Sequence, residues 1–276
     1  MVVPVALLLA LVGGVLVARV RWRAATNALV ARLHGASDDA PPAEHSADEL
    51  DGLPAPVARY LRTVLPAGQR VPRRVRIAQR GTFAVKPTSD GWRPFTAVHC
   101  CTARPAGFVW DARIRMAPGL DFLVRDAFVE GAGSMRGTVL GLITMVNVHD
   151  TPDITAGALV RFLAEAVWLP TALLPSHGVR WTPLDAASAR ATLTSGVTTV
   201  SLDFHFGADG LVERIYTPAR ARDVNGTFVP TPWEGRWLEY AERGGLLVPV
   251  RGEVAWILPE GPLPYWRGEI SDVVYD

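Results

Sequence analysis

The stretch Ile154 to Pro175, ITAGALVRFLAEAVWLPTALLP, constrains the fold more than any other part of this chain. Leu159, Phe162, Leu163, Ala166, Val167 and Leu169 recur at spacings of three and four, the period of one helix face. Asp153 or Thr155 is placed to cap its start, and Pro170 and Pro175 to stop it. Almost everything else after residue 70 alternates with period two. A single apolar helix inside a strand-rich chain packs across the concave face of a curved sheet. The expected fold class is therefore α+β: a strongly curved antiparallel β-sheet, half-barrel-like, wrapped around a central helix.

The strand pattern supports an antiparallel meander. RVRIAQRGTFAV, FTAVHCCTA, GFVWDARIRMA and DFLVRDAFVEG follow one another, with turn signals at Pro105-Ala106-Gly107 and Ala117-Pro118-Gly119. Gly81 reads as a bulge. After the helix the strands resume, with hairpin-type turns at Ser195-Gly196 and Ala208-Asp209-Gly210. No helix of about a dozen residues separates successive strands, which argues against parallel units.

Val2 to Ala18 is an apolar run of 17 residues followed by Arg19, Arg21 and Arg23, with Trp22 among them. The basic residues come after the run, unlike a cleaved signal peptide, so the reading is a transmembrane anchor within residues 1–25. The arginine asymmetry puts the C-terminal bulk in the cytoplasm, at a bacterial inner membrane. Thr26 to Leu33 continues that helix into water, and residues 26–52 form a linker whose small, acidic, proline-containing part is 35–52. Leu53 to Pro66 is a second short helix on which Val57, Tyr60, Leu61 and Val64 share a face. Residues 53–276 are one domain.

Composition excludes some functions. A net charge of +1 leaves no electrostatic footprint for nucleic acid. Lys86 is the sole lysine, so arginine carries the positive charge. The adjacent Cys100 and Cys101 point to opposite faces of a strand and read as free thiols. Phosphate loops, dinucleotide fingerprints, metalloprotease histidine pairs and Gly-x-Ser-x-Gly elbows are absent, and the six histidines lack metal-ligand spacing. No cofactor or metal is expected.

Three polar sets sit where the pattern expects apolar residues. Arg161 and Glu165 lie four apart on the helix among apolar neighbours, as a helix-to-sheet ion pair or a pocket lining. Asp111, Arg113 and Arg115 share a strand face, with Arg125 and Asp126 on the next strand, as cross-strand pairs or the wall of a polar cavity. The third set combines tryptophan with carboxylates: Trp233-Glu234-Gly235-Arg236, the stretch with Glu253 and Trp256, and Tyr265-Trp266-Arg267-Gly268-Glu269. It reads as a core rim or a ligand lining. Trp110 and Trp168 complete the candidate ligand-binding residues.

LPAPVARYLRTVLP, WRPFTA, GFVWDARIRMAPGL, RFLAEAVWLPTALLPS, PWEGRW, GEVAWILPEG and YWRGEI together resemble an uncharacterised bacterial family of membrane-anchored proteins, a domain of unknown function. The order of strands, one crossing helix and more strands is similar to the LolA/LolB-like lipoprotein-carrier architecture. The resemblance implies no catalytic residue. The functional expectation is a membrane-anchored protein that binds a lipid, acyl chain or other amphipathic ligand between sheet and helix. The alternative is an enzyme using the buried carboxylate and arginine groups of the same cavity.

Overall fold

The computed structural model of the protein describes residues 2–37, 47–65, 71–86 and 91–276. Three α-helices are present: α1 Val2–Gly35, α2 Ala55–Val64 and α3 Pro152–Glu165. The strands are β1 Arg74–Ala84, β2 Trp92–Thr102, β3 Gly107–Ala117, β4 Leu120–Val129, β5 Ala132–Val139, β6 Ile143–His149, β7 Arg180–Asp185, β8 Ser188–Ser195, β9 Thr198–Phe206, β10 Val212–Val224, β11 Thr227–Arg243, β12 Leu246–Leu258 and β13 Gly261–Tyr275. All form one open antiparallel sheet in the order β6-β5-β4-β3-β2-β1-β13-β12-β11-β10-β9-β8-β7.

That order explains the central helix. Two meanders meet where β1 pairs with β13, so β6 and β7, neighbours in sequence, occupy the two outer edges. The segment joining them has to cross the full width of the sheet. It does so as α3 followed by three short 3-10 turns, Ala166–Trp168, Pro170–Leu173 and Pro175–His177. The α-helical form ends at Glu165, earlier than expected. Pro170 would set its ring against the carbonyl four residues back, that of Ala166, and the residue before a proline is driven out of the helical region. Leu169 is indeed at φ −134°, ψ 71°. The N-cap is Thr151, whose hydroxyl accepts from the Ile154 amide, rather than Asp153 or Thr155. Thr155 Oγ1 instead accepts from the Gly133 amide, tying α3 to β5.

The core lies between the concave sheet face and α3. Leu159, Leu163, Val167 and Leu173 are fully buried there, as are Phe108, Phe128, Ile77 and Phe204 from the sheet. α2 closes the core with Val57, Tyr60, Leu61 and Val64, all inaccessible. The tryptophan-glycine motifs of β11 to β13 are packing devices. A Cβ on Gly252 would meet the Trp237 ring at 2.8 Å, and one on Gly268 the Trp266 ring at 2.3 Å. Gly252 lets the Trp237 ring lie over the neighbouring strand, and Gly268 lets the Trp266 ring lie along its own. Gly81 instead allows a close backbone approach: its added Cβ would lie 2.0 Å from the Arg267 carbonyl, while the irregularity of β1 falls at Ala78/Gln79.

α1 runs along the opposite, convex face. Leu29, Val30 and Leu33 pack on Cys100, Val109, Ala127 and Val129. Thr26 to Leu33, expected to run into water, is thus docked on the sheet. Residues 38–46, the middle of the expected linker, lie outside the described residues. Towards its start α1 is exposed at Leu9, Leu11, Val12, Leu16 and Val17. Among the described residues no helix is long and apolar enough to cross a membrane. A spanning anchor at Val2 to Ala18 is therefore not supported. The run has 17 residues, short of the roughly 20 a bilayer needs, and three arginines follow within the next turn and a half.

Candidate functional site

The structure divides the candidate residues between the two faces of the sheet. Because side chains alternate along a strand, Asp126 points inwards and Arg125 outwards, so Asp126 leaves the charged face on which Arg125 stands opposite Asp111. Asp111, Arg113 and Arg125 are on the outer face; Arg161, Glu165, Asp126, Trp110 and Trp168 are together on the inner one. Glu253 and Trp256 belong to neither group. Glu253 pairs with Arg267 on the outer face of the second meander (2.5 Å), and Trp256 stacks on Tyr265 at 5.8 Å on the inner face.

On the inner face, Arg161 reaches from α3 to the sheet. Its Nη1 donates to Asp126 Oδ2 (2.7 Å) and its Nε to Glu165 Oε1 (2.8 Å). Its guanidinium lies 4.6 Å from the Trp110 ring centre and 5.1 Å from that of Phe108. His99 and Cys101, which sequence reasoning passed over, complete this cluster. His99 Nε2 is 2.6 Å from Cys101 Sγ and 3.3 Å from Glu165 Oε2, the latter without the geometry of a hydrogen bond. The missed signal was register: His99 and Cys101 alternate with Phe95 and Ala97, all facing the core. Burial pushes the Glu165 carboxyl up against the opposing pull of Arg161, because one cation is shared between two carboxylates. Burial also drives the His99 imidazole well down and the Cys101 thiol well up. Both stay neutral near pH 7. A nucleophilic cysteine requires the opposite, an accessible thiolate.

The inner face is filled around this cluster. Trp168 donates to the Pro249 carbonyl (2.9 Å) and stands edge-on to Trp237 with ring centres 4.8 Å apart. His99 lies 5.9 Å from the Trp168 ring. These side chains fill the space next to the ion pair between sheet and helix.

A cleft of about 490 Å³ lies on the other face, between α1 and β1 to β4. Strand register builds its floor in two rows. Ala78, Val98 and Asp111 oppose one another across β1, β2 and β3; Arg80, Thr96, Arg113 and Leu123 do so across β1 to β4. α1 supplies Arg19, Trp22 and Arg23 as the opposite wall. Trp22 Nε1 donates to Asp111 Oδ1 (2.8 Å), and the Thr26 hydroxyl lies 3.2 Å from Asp111 Oδ2. Burial raises the Asp111 carboxyl, and the Trp22 and Thr26 hydrogen bonds hold it back. Arg19 (2.9 Å) and Arg113 (2.7 Å) share Asp121. Four arginines thus ring an apolar floor that carries two aspartates. In the sequence Arg19 and Arg23 simply follow an apolar run; only the docking of α1 places them at a cleft.

Among the described residues no cluster of histidine, cysteine and carboxylate groups is arranged to hold a metal ion.

Solved structures to which the chain is similar include a LolA superfamily protein from Nitrosomonas europaea, at 11% identity over 79% of this chain and 91% of that one, with a TM-score of 0.38. A DUF1329 family protein from Desulfovibrio piger is similar at 9% identity over 83% of this chain and 89% of that one, also with a TM-score of 0.38. No curated protein sequence matches. A family model described as a family of unknown function, DUF6920, covers residues 51–275, and the chain belongs to that family.

Proposed function

We propose that the protein binds an anionic amphipathic ligand, a lipid or acyl chain, in the cleft under α1 at a membrane surface. One observation carries this: an apolar lining of Val98, Leu123 and Trp22 rimmed by Arg19, Arg23, Arg80 and Arg113. Apolar walls with a few convergent charges are what a small-ligand site requires. The exposed apolar start of α1 lies beside it. If that run enters the bacterial inner membrane, the arginines after it put the sheet on the cytoplasmic side.

The enzymatic alternative would work through Glu165, Arg161 and His99. It is the weaker reading, because Arg161 and Glu165 side chains are only 14% and 13% accessible and His99 is sealed.

Lipid extraction and native mass spectrometry of the full chain purified in mild detergent test the cleft. The parent should carry a reproducible lipid or fatty acid. Leu123→Trp, which fills the floor, should lose most of it while melting within a few degrees of the parent. A parent that carries none, or a Leu123→Trp protein that keeps its load, removes the cleft from consideration.

A further inference from the structure

A second cleft, about 440 Å³, lies on the other side of α1, between that helix and the β5–β6 hairpin. Among the described residues that line it are Arg21, Arg125 and Arg136 and no carboxylate. Arg125 and Arg136 oppose each other directly across β4 and β5. Like charges in that position repel, so the pair makes sense where an anion sits between them. Arg125 is held in place: it donates to the Trp22 carbonyl (3.2 Å) and to Thr26 Oγ1 (2.9 Å), and lies 4.6 Å from the Trp22 ring centre. Arg136 is exposed.

The hairpin beside this cleft has an unusual tip. Its loop is Leu140-Gly141-Leu142, where turns favour Asn, Asp and Gly, and Leu140 and Gly141 both have positive φ. Leu142, Ile143 and Met145 are 44, 61 and 63% exposed. The tip lies close against α1: a Cβ on Gly141 would sit 3.2 Å from that of Ala18. Ala18 is itself buried, amid the exposed apolar residues Leu16, Val17 and Val20 of α1. The hairpin tip and the start of α1 therefore form one continuous exposed apolar surface, with three arginines at its inner margin.

We infer that this surface inserts into an anionic lipid bilayer, with the hairpin tip and the start of α1 in the acyl region and a lipid phosphate held by Arg21, Arg125 and Arg136. Exposed apolar groups beside clustered arginines are the combination that anionic leaflets attract. This goes beyond the ligand cleft, whose lining shares only Trp22 with the arginine cleft, so either can fail without the other.

The full chain is floated with vesicles of phosphatidylcholine alone and of phosphatidylcholine mixed with phosphatidylglycerol. The parent should prefer the anionic vesicles. The double variant Arg21→Gln with Arg136→Gln should lose that preference by roughly fivefold per arginine. A retained preference overturns the phosphate site. So does inorganic phosphate abolishing the preference at the ionic strength of a chloride control, which would mark a small-anion site. A nitroxide on Met145→Cys reads insertion directly, since Cys100 and Cys101 are buried and escape labelling. In anionic vesicles it should be relaxed more by dissolved oxygen than by a water-soluble nickel chelate. The reverse ranking puts the tip in water and overturns the insertion.

Discussion

Arg161 and Arg125 make the same contact on opposite faces of one sheet, each with its guanidinium 4.6 Å from a tryptophan ring centre, Trp110 and Trp22. What surrounds them differs. Arg161 is closed off by Asp126 and Glu165, and the group carries more carboxylate than cation. Arg125 has Asp111 opposite it on β3 but Arg136 opposite it on β5, so its row ends in excess positive charge beside open space. A buried charge surrounded by its counter-ions belongs to the architecture. A charge left facing a like charge at a cleft has a partner still to meet.

The largest expected effect breaks the inner site. Arg161→Met leaves Asp126 and Glu165 buried without their cation, a change that typically costs about 3–5 kcal/mol. For a domain of this size that lowers the melting temperature by roughly 10 °C. Arg161→Met with Glu165→Leu should recover little, because Asp126 still lacks its partner. Adding Asp126→Leu should recover most of the loss. If the double variant alone restores the parent's melting temperature, Asp126 is not the second anchor that its 2.7 Å bond to Arg161 makes it.

A smaller effect is the pH dependence of the same site. Glu165 has a raised pKa in the folded state, so the folded chain binds its proton more tightly than the unfolded one. Stability from this group is then full at low pH and declines as pH rises from its ordinary value of 4.5 upward. Glu165→Gln cannot ionise. Melting temperatures across this range should show the parent losing ground to Glu165→Gln as pH increases. A difference independent of pH would mean Glu165 titrates as it does in water.

The smallest effect sharpens the contrast with the outer face. Arg136→Ala removes one of two opposed like charges, which cost about 0.2–1 kcal/mol relative to alanine. In low salt without phosphate or lipid the variant should melt at or slightly above the parent. A clear loss of stability would show that Arg136 is held by a structural counter-ion, and the two arginine sites would then be alike.

The sequence by itself determined the secondary-structure class and the hub. Period-two segments on both sides of one period-3.6 segment left few arrangements, and Leu159, Leu163 and Val167 are inaccessible as their spacing required. The face shared by Val57, Tyr60, Leu61 and Val64 was equally legible, since periodicity is a local property of the chain. That Arg161 and Glu165 pair followed from their spacing of four. That Asp126 joins them did not, because it depends on which face of β4 meets α3, a matter of register between segments 35 residues apart. His99 and Cys101 enter the cluster for the same reason. The outer face was least legible. An apolar run followed by arginines looks alike whether the helix beyond it runs into water or docks on a sheet. The difference lies in Trp22, Thr26 and Leu33 finding Asp111, Arg125 and Val109, between 76 and 99 residues away, contacts that only the tertiary structure brings within reach.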